Sequence, residues 1–194
     1  MPDSDIMANM IFFAGSEENK ASASTTRRDA DALLVERIRR GDAEAFNELY
    51  KSFAPIVHGI ILSRVPYAEV DDMVQEVFLT AFKSISSLRD KDAVGAWLMA
   101  IARNRAIQFY RDARPTEELP EDLDSPRRFA TEANEIMAVI RSLPVCYSEP
   151  LVLRLVEGMT GQEISEMTGL TPDSVRVNLH RGMKLLRQKL GYVE

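Results

Sequence analysis

Arg176, His180, Arg181, Lys184, Arg187 and Lys189 follow one another at intervals of one to four residues, opposed by a single acid, Asp173. Cations at this spacing suit one kind of chemistry: they meet phosphate oxygens, and an arginine that reaches a groove bonds the guanine O6 and N7 acceptors. That chemistry needs a helix to carry the charges, and the sequence supplies both of its neighbours. Thr171 is a good N-cap, Pro172 stands where a missing N–H costs nothing, and Asp173 lies in the first turn, where the helix dipole favours an acid. Upstream, Thr160 and Glu163 have the spacing of a capping box, and Gly169 suits the left-handed end of a short helix. Ile164, Met167, Leu170, Val175 and Leu179 are expected to lock the two helices together. The pair reads as a helix-turn-helix whose second helix enters a DNA major groove. The plainer alternative is a capped helix pair with a solvated basic face.

Composition bounds what such an element can do. The 194 residues leave room for one large domain or two small ones, and a hydrophobic share of 45% is enough for a packed core. The net charge of −6 argues against a protein that coats nucleic acid unaided. Contacts must come from local patches, so affinity for DNA should be modest and steeply salt-dependent. One cysteine, Cys146, excludes an internal disulfide, and two distant histidines, His58 and His180, make a structural metal unexpected. No cofactor motif is present. No apolar run reaches membrane-spanning length and the N-terminus lacks the pattern of a signal peptide, so no membrane insertion and a cytoplasmic location are expected.

The pattern along the chain is that of an all-α protein, two small helical domains joined by an acidic flexible linker. Residues 1–26 read as a disordered polar tail. Residues 27–114 form the first domain. Helical periodicity there starts near Asp29 and breaks at Gly41; Asp42 caps a second helix, which Pro55 is expected to interrupt. Val70, Met73, Val74, Val77, Phe78, Ala81, Phe82 and Ile85 make an apolar stripe over 70–85, with Asp71, Asp72, Gln75, Glu76 and Lys83 opposite. A polar loop over 86–92 leads to a helix over 93–114 bearing Arg103, Arg105, Arg111 and Arg114. Residues 115–131, rich in proline and acid, read as the linker, and 132–194 as the second domain, with helices near 131–142 and 148–157 before the opening pair.

Three ordered stretches resemble a known family: Asp71-Asp72-Met-Val-Gln75-Glu76-Val-Phe, then Ala96-Trp97-Leu98-Met-Ala-Ile101-Ala-Arg103-Asn104, then Leu143-Pro144 with the terminal helix-turn-helix. Together they are similar to the extracytoplasmic-function (ECF) group of bacterial RNA polymerase sigma factors. The resemblance covers roughly residues 29–114 and 132–190. It implies a non-enzymatic promoter-specificity subunit whose partners are core RNA polymerase (β′ coiled coil and β flap), promoter DNA and an anti-sigma factor, with no homo-oligomer.

The same resemblance assigns roles. Asp71, Asp72, Gln75, Glu76 and Lys83 would meet polymerase. Arg89, Arg103, Asn104, Arg105, Gln108 and Arg111 would track and read the −10 strand, with the loop over 86–92 as a pocket wall. Ser174, Arg176, Val177, His180, Arg181 and Lys184 would contact the −35 element, with Arg187 beside them on the phosphates. Trp97 offers a stacking surface, although its apolar neighbours Leu98 and Ile101 favour a place in the core. Housekeeping members carry two adjacent aromatics where this chain has Trp97-Leu98, which suggests weaker duplex melting. Val177 and Asn178 depart from common members and leave the −35 sequence open. Glu117, Glu118, Glu121, Asp122 and Asp124 of the linker would mimic RNA on its exit path, or serve only as a soluble tether. Two other readings remain at this point, a helix-turn-helix regulator and a sigma-like decoy that binds an anti-sigma protein.

Overall fold

A computed structural model describes residues 21–112 and 128–192, and among them every regular element is helical. Apart from short 3-10 turns at Tyr67–Glu69, Ile85–Ser87 and Lys91–Ala93, these are in chain order α1 (Ala21–Arg39), α2 (Ala43–Leu62), α3 (Val70–Ser84), α4 (Val94–Asp112), α5 (Arg128–Arg141), α6 (Val145–Leu155), α7 (Gly161–Thr168) and α8 (Pro172–Lys189). The tail reading of residues 1–20, the end of the first domain at 113–114 and most of the acidic linker, including Glu117 to Asp124, lie outside the described residues.

Helix α1 begins at Ala21, ahead of the expected Asp29. The added residues, Ala-Ser-Ala-Ser-Thr-Thr-Arg-Arg, contain no breaker, yet they have no apolar repeat by which periodicity would find them. In the same way α5 starts at Arg128, inside the stretch read as linker. At the other end of α1 the chain turns through Gly41, whose φ of 89° is the left-handed conformation that glycine adopts without steric cost. Asp42 then caps α2 by accepting from the Ala45 amide at 3.1 Å, as its position suggested.

Helix α2 is the axis of the first domain, packing against α1, α3 and α4. It does not break at Pro55, contrary to the expectation from sequence. Pro55 sits on the solvent side of α2, where the lost hydrogen bond and ring clash cost about 3 kcal/mol. On the inner side Phe53, Ile56, Val57, Ile60 and Ile61 are all at most 1% exposed. Each such side chain stabilises the fold by roughly 1.5–3 kcal/mol, so burial outweighs the defect and the helix runs on.

The α3 stripe is buried at Val70, Met73, Val74, Val77, Phe78 and Ala81, with Ile85 just beyond the helix. Phe82 is the exception at 57% exposed, its ring edge-on to Phe46 with centroids 5.0 Å apart. Periodicity assigned it to the core because it continues the stripe, but α2 no longer covers that flank fully.

In the second domain α6 packs against α8, and α7 against both. Pro144 takes the N-cap position of α6, which therefore starts at Val145 rather than Ser148. The helix-turn-helix is built as its caps indicated. Thr160 and Glu163 complete a reciprocal capping box, Gly169 ends α7 at φ 73°, and Thr171 caps α8 by accepting from the Ser174 amide. Ile164, Met167 and Val175 are buried between the two helices and Leu179 is partly so, whereas Leu170, in the turn, is 38% exposed. A single apolar core runs through both domains, since α2 packs on α6 and α4 on α7.

Candidate nucleic-acid interface

Helix α8 presents two different faces. Its back meets α6 closely: a Cβ on Gly182 would stand 3.0 Å from Leu151 Cδ1 and 3.1 Å from Tyr147 Cβ. With Val175 and Leu186 also buried, rotation of the helix is fixed. That leaves Arg176, Val177, His180, Arg181 and Lys184 together on the solvent side, none of them buried. Arg176 reaches Asp173 at 3.1 Å, but both side chains are at least 80% exposed, so the pair is worth little and the guanidinium is free to move. Ser174 is placed differently. Its hydroxyl shares a 2.8 Å hydrogen bond with that of Thr171 and so belongs to the cap. Arg187 is half-buried, with its Nε out of solvent, which moves it off the exposed track.

On the first domain, Asp71, Asp72, Gln75, Glu76 and Lys83 all lie on the open face of α3. Two apolar side chains stand among them, Leu79 at 58% and Phe82 at 57% exposed. Sequence reading missed the first and buried the second. The signal for Leu79 was its place outside the apolar repeat, on the polar side of the helix. Such a mixed face of acids and large apolar groups is what a partner helix with basic and apolar residues would cover.

The residues expected to read the −10 strand are not a free track. Arg89, Asn104 and Arg111 are exposed. Arg105 donates through its Nε to Glu76, linking α4 to the open face of α3, and that hydrogen bond holds the guanidinium above its ordinary pKa. Gln108 bonds Asp112 at 2.7 Å. Arg103 turns away altogether and grips Glu149 of the second domain, Nη2 to Oε1 at 2.5 Å and Nε to Oε2 at 3.2 Å. Trp97 is half-buried against the core.

The loop before α4 is tied down by α1. Arg39 donates to the carbonyls of Ile85 and Leu88. Lys91 forms an ion pair with Glu36, whose carboxyl is held below its usual pKa chiefly by that hydrogen bond. Lys91 is thus engaged, and Arg89 is the loop's solvent-facing cation.

Sequence reading also missed the groups at the seam between the domains. His58 Nδ1 lies 2.6 Å from Glu157 Oε1, and Arg64 Nη2 lies 2.6 Å from Glu149 Oε2. Glu149 stands in the apolar run Glu149-Pro-Leu-Val-Leu. An acid in such a run signals a buried charge that must find a cation, although not which one. The hydrogen bond to Glu157 raises the His58 pKa against the opposing effect of burial, with Asp71 adding a smaller push in the same direction. A raised value means the pair stabilises this arrangement fully below the ordinary histidine pKa of about 6.5, and the contribution fades as pH climbs through the raised one. NMR titration should therefore give His58 a pKa above that of an unperturbed histidine. Glu157→Gln should bring it down, and an unchanged titration in that variant would refute the pairing.

Among the described residues there is no His, Cys, Asp and Glu group able to hold a metal ion, and no helix long and apolar enough to cross a membrane.

Residues 49–116 match the Sigma-70 region 2 family and residues 133–186 the Sigma-70 region 4 family. The ECF RNA polymerase sigma-E factor of Haemophilus influenzae is 30% identical, the match covering 82% of this chain and 95% of the relative. The RNA polymerase sigma factor CarQ of Myxococcus xanthus is also 30% identical, over 82% of this chain and 97% of its own. In fold, the chain is similar to CnrH as seen in its complex with the cytosolic domain of CnrY, with a TM-score of 0.59 and 24% identity over 85% of this chain and 99% of that one. With a region 2 segment, a region 4 segment and full-length relatives in agreement, the chain belongs to the ECF group of RNA polymerase sigma factors.

Proposed function

We propose a division of labour within a sigma factor that directs promoter-specific transcription initiation. The open face of α3, with Asp71, Asp72, Gln75, Glu76 and Lys83 around Leu79 and Phe82, holds core polymerase at the β′ coiled coil. Arg89, Asn104, Arg105, Gln108 and Arg111, joined by Arg103 once its partner lets go, take the −10 strand. Arg176, Val177, His180, Arg181 and Lys184 read the −35 element in the major groove, with Ser174 ordering the start of the reading helix and the second domain resting on the β flap. The observation that carries this is the exposed basic face of α8, set by close packing of its back against α6. A net charge of −6 fits a reader that works only while polymerase holds both halves. An anti-sigma protein that covers these same faces, and a cytoplasmic site of action, complete the proposal.

The test is Arg176→Ala and Arg181→Ala, assayed separately for polymerase binding and for run-off transcription on a genomic promoter pool. Each lost guanine contact should cost about 1–3 kcal/mol, or roughly 5- to 150-fold in initiation at −35-dependent promoters. Core polymerase affinity should not change. A parallel loss of polymerase binding would contradict the separation of roles.

A further inference from the structure

Glu149 is 6% exposed and bridges two cations of the first domain, Arg64 of the α2–α3 connection and Arg103 of α4. The grip of Arg103 is forked, its Nε and Nη2 each donating to a different carboxylate oxygen. A guanidinium meets a phosphate in the same two-pronged way, and a carboxylate can therefore stand in for one. The second domain thus places an anion where a promoter-reading arginine would meet the nucleic-acid backbone. His58 and Glu157 form a second bridge across the same seam.

Packing agrees with the charges. A methyl group added at Gly59 of α2 would run into α6 and the turn after it, with Leu153 Cδ2 at 2.7 Å and Glu157 Cγ at 3.0 Å. Leu153 is fully buried. Glycine inside a helix costs about 0.5–1 kcal/mol relative to alanine, and here its gain is a backbone close enough for α6 to seat on α2.

We propose that the free chain holds itself closed, with Glu149 occupying Arg103 as a phosphate substitute, so that the −10-reading surface opens only when polymerase and promoter separate the two domains. The inference rests on the promoter-reading role of α4 given above. In energetic terms the latch is suited to exchange. Uncovering Glu149 leaves a carboxylate that water solvates well, while Arg103 passes from one forked anion to another without ever being left buried and unpaired.

The experiment uses the full chain without polymerase. Spin labels on the native Cys146 and on an introduced cysteine, Glu44→Cys, report the separation of the domains. A fluorescein-labelled single-stranded DNA of mixed sequence reports backbone binding. Two variants open the seam by different means. Glu149→Gln removes the charge with almost no change in volume, and Gly59→Leu wedges α6 away while keeping every charge. Both should lengthen and broaden the label distance. Both should raise affinity for the oligonucleotide by about tenfold, equivalent to about 1.4 kcal/mol. Each freed arginine should also steepen the salt dependence by about 0.7 in log–log slope. Adding Arg103→Gln to either variant should remove most of the gain. Label distances unchanged in both variants overturn the latch, as does opening without a rise in affinity. Opening with the expected rise, beside a wild-type chain that fails in run-off transcription with core polymerase, would keep the latch and sink the promoter-reading assignment instead.

Discussion

Asp72→Lys is expected to weaken binding to core polymerase by about a hundredfold while leaving the fold intact. Asp72 is exposed in the first turn of α3 and forms no ion pair with any other described residue. Reversing it costs the helix only the dipole interaction, about 0.3–1 kcal/mol. At a basic partner surface the same change turns attraction into repulsion. Like charges facing each other across an interface cost several kcal/mol, and a hundredfold loss is only about 2.7 kcal/mol. Anisotropy titration with labelled protein, alongside a urea melt, separates the two effects; binding within threefold of wild type would exclude α3 as the docking face.

Glu76→Lys is a different experiment, although the two residues share that face. Glu76 bonds Arg105 of α4, so its reversal also breaks that bond and sets a lysine beside a guanidinium of the proposed −10 surface. Asp72→Lys should therefore lose polymerase affinity alone. Glu76→Lys should lose it as well and, by releasing Arg105 and adding a cation, should raise single-strand binding in the absence of polymerase.

How much of this was legible in the sequence follows from the range of the interactions. The capping box at Thr160 and Glu163, the Asp42 cap and the Gly169 turn are settled by neighbours within a few residues, and each stands as the sequence indicated. Pro55 failed as a helix breaker because its local cost is outweighed by burial of Ile56, Ile60 and Ile61 against helices distant in the chain. Phe82 failed as a core residue because a stripe says which side of a helix is apolar, not how far its cover extends. The site shows the same division. Arg176, Arg181 and Lys184 could be placed on one face by spacing alone. Arg103 could not, because its partner Glu149 is 46 positions away and belongs to the other domain. Charge pairing at that range leaves no periodic trace.

Phe53→Ala should have the largest effect on stability, about 3–5 kcal/mol, the usual cost of removing a fully buried phenyl ring. Phe53 is 0% exposed and faces Gly95 of α4. A Cβ on Gly95 would stand 2.9 Å from its Cε1, so the ring fills the space that glycine leaves in the first turn of α4. Truncation opens a cavity there that rigid neighbours on α2 and α4 can close only in part. Against a total stability of about 5–15 kcal/mol, that loss takes a large part of the margin. The effect on function should follow from position as well as stability. Helix α4 would lose the contact that fixes its first turn, and with it the aim of Asn104, Gln108 and Arg111. Phe53→Leu keeps most of the volume and should recover most of the stability. Urea unfolding of both variants is the check, and a loss below about 1 kcal/mol for Phe53→Ala would mean that this ring does not hold α4 in place.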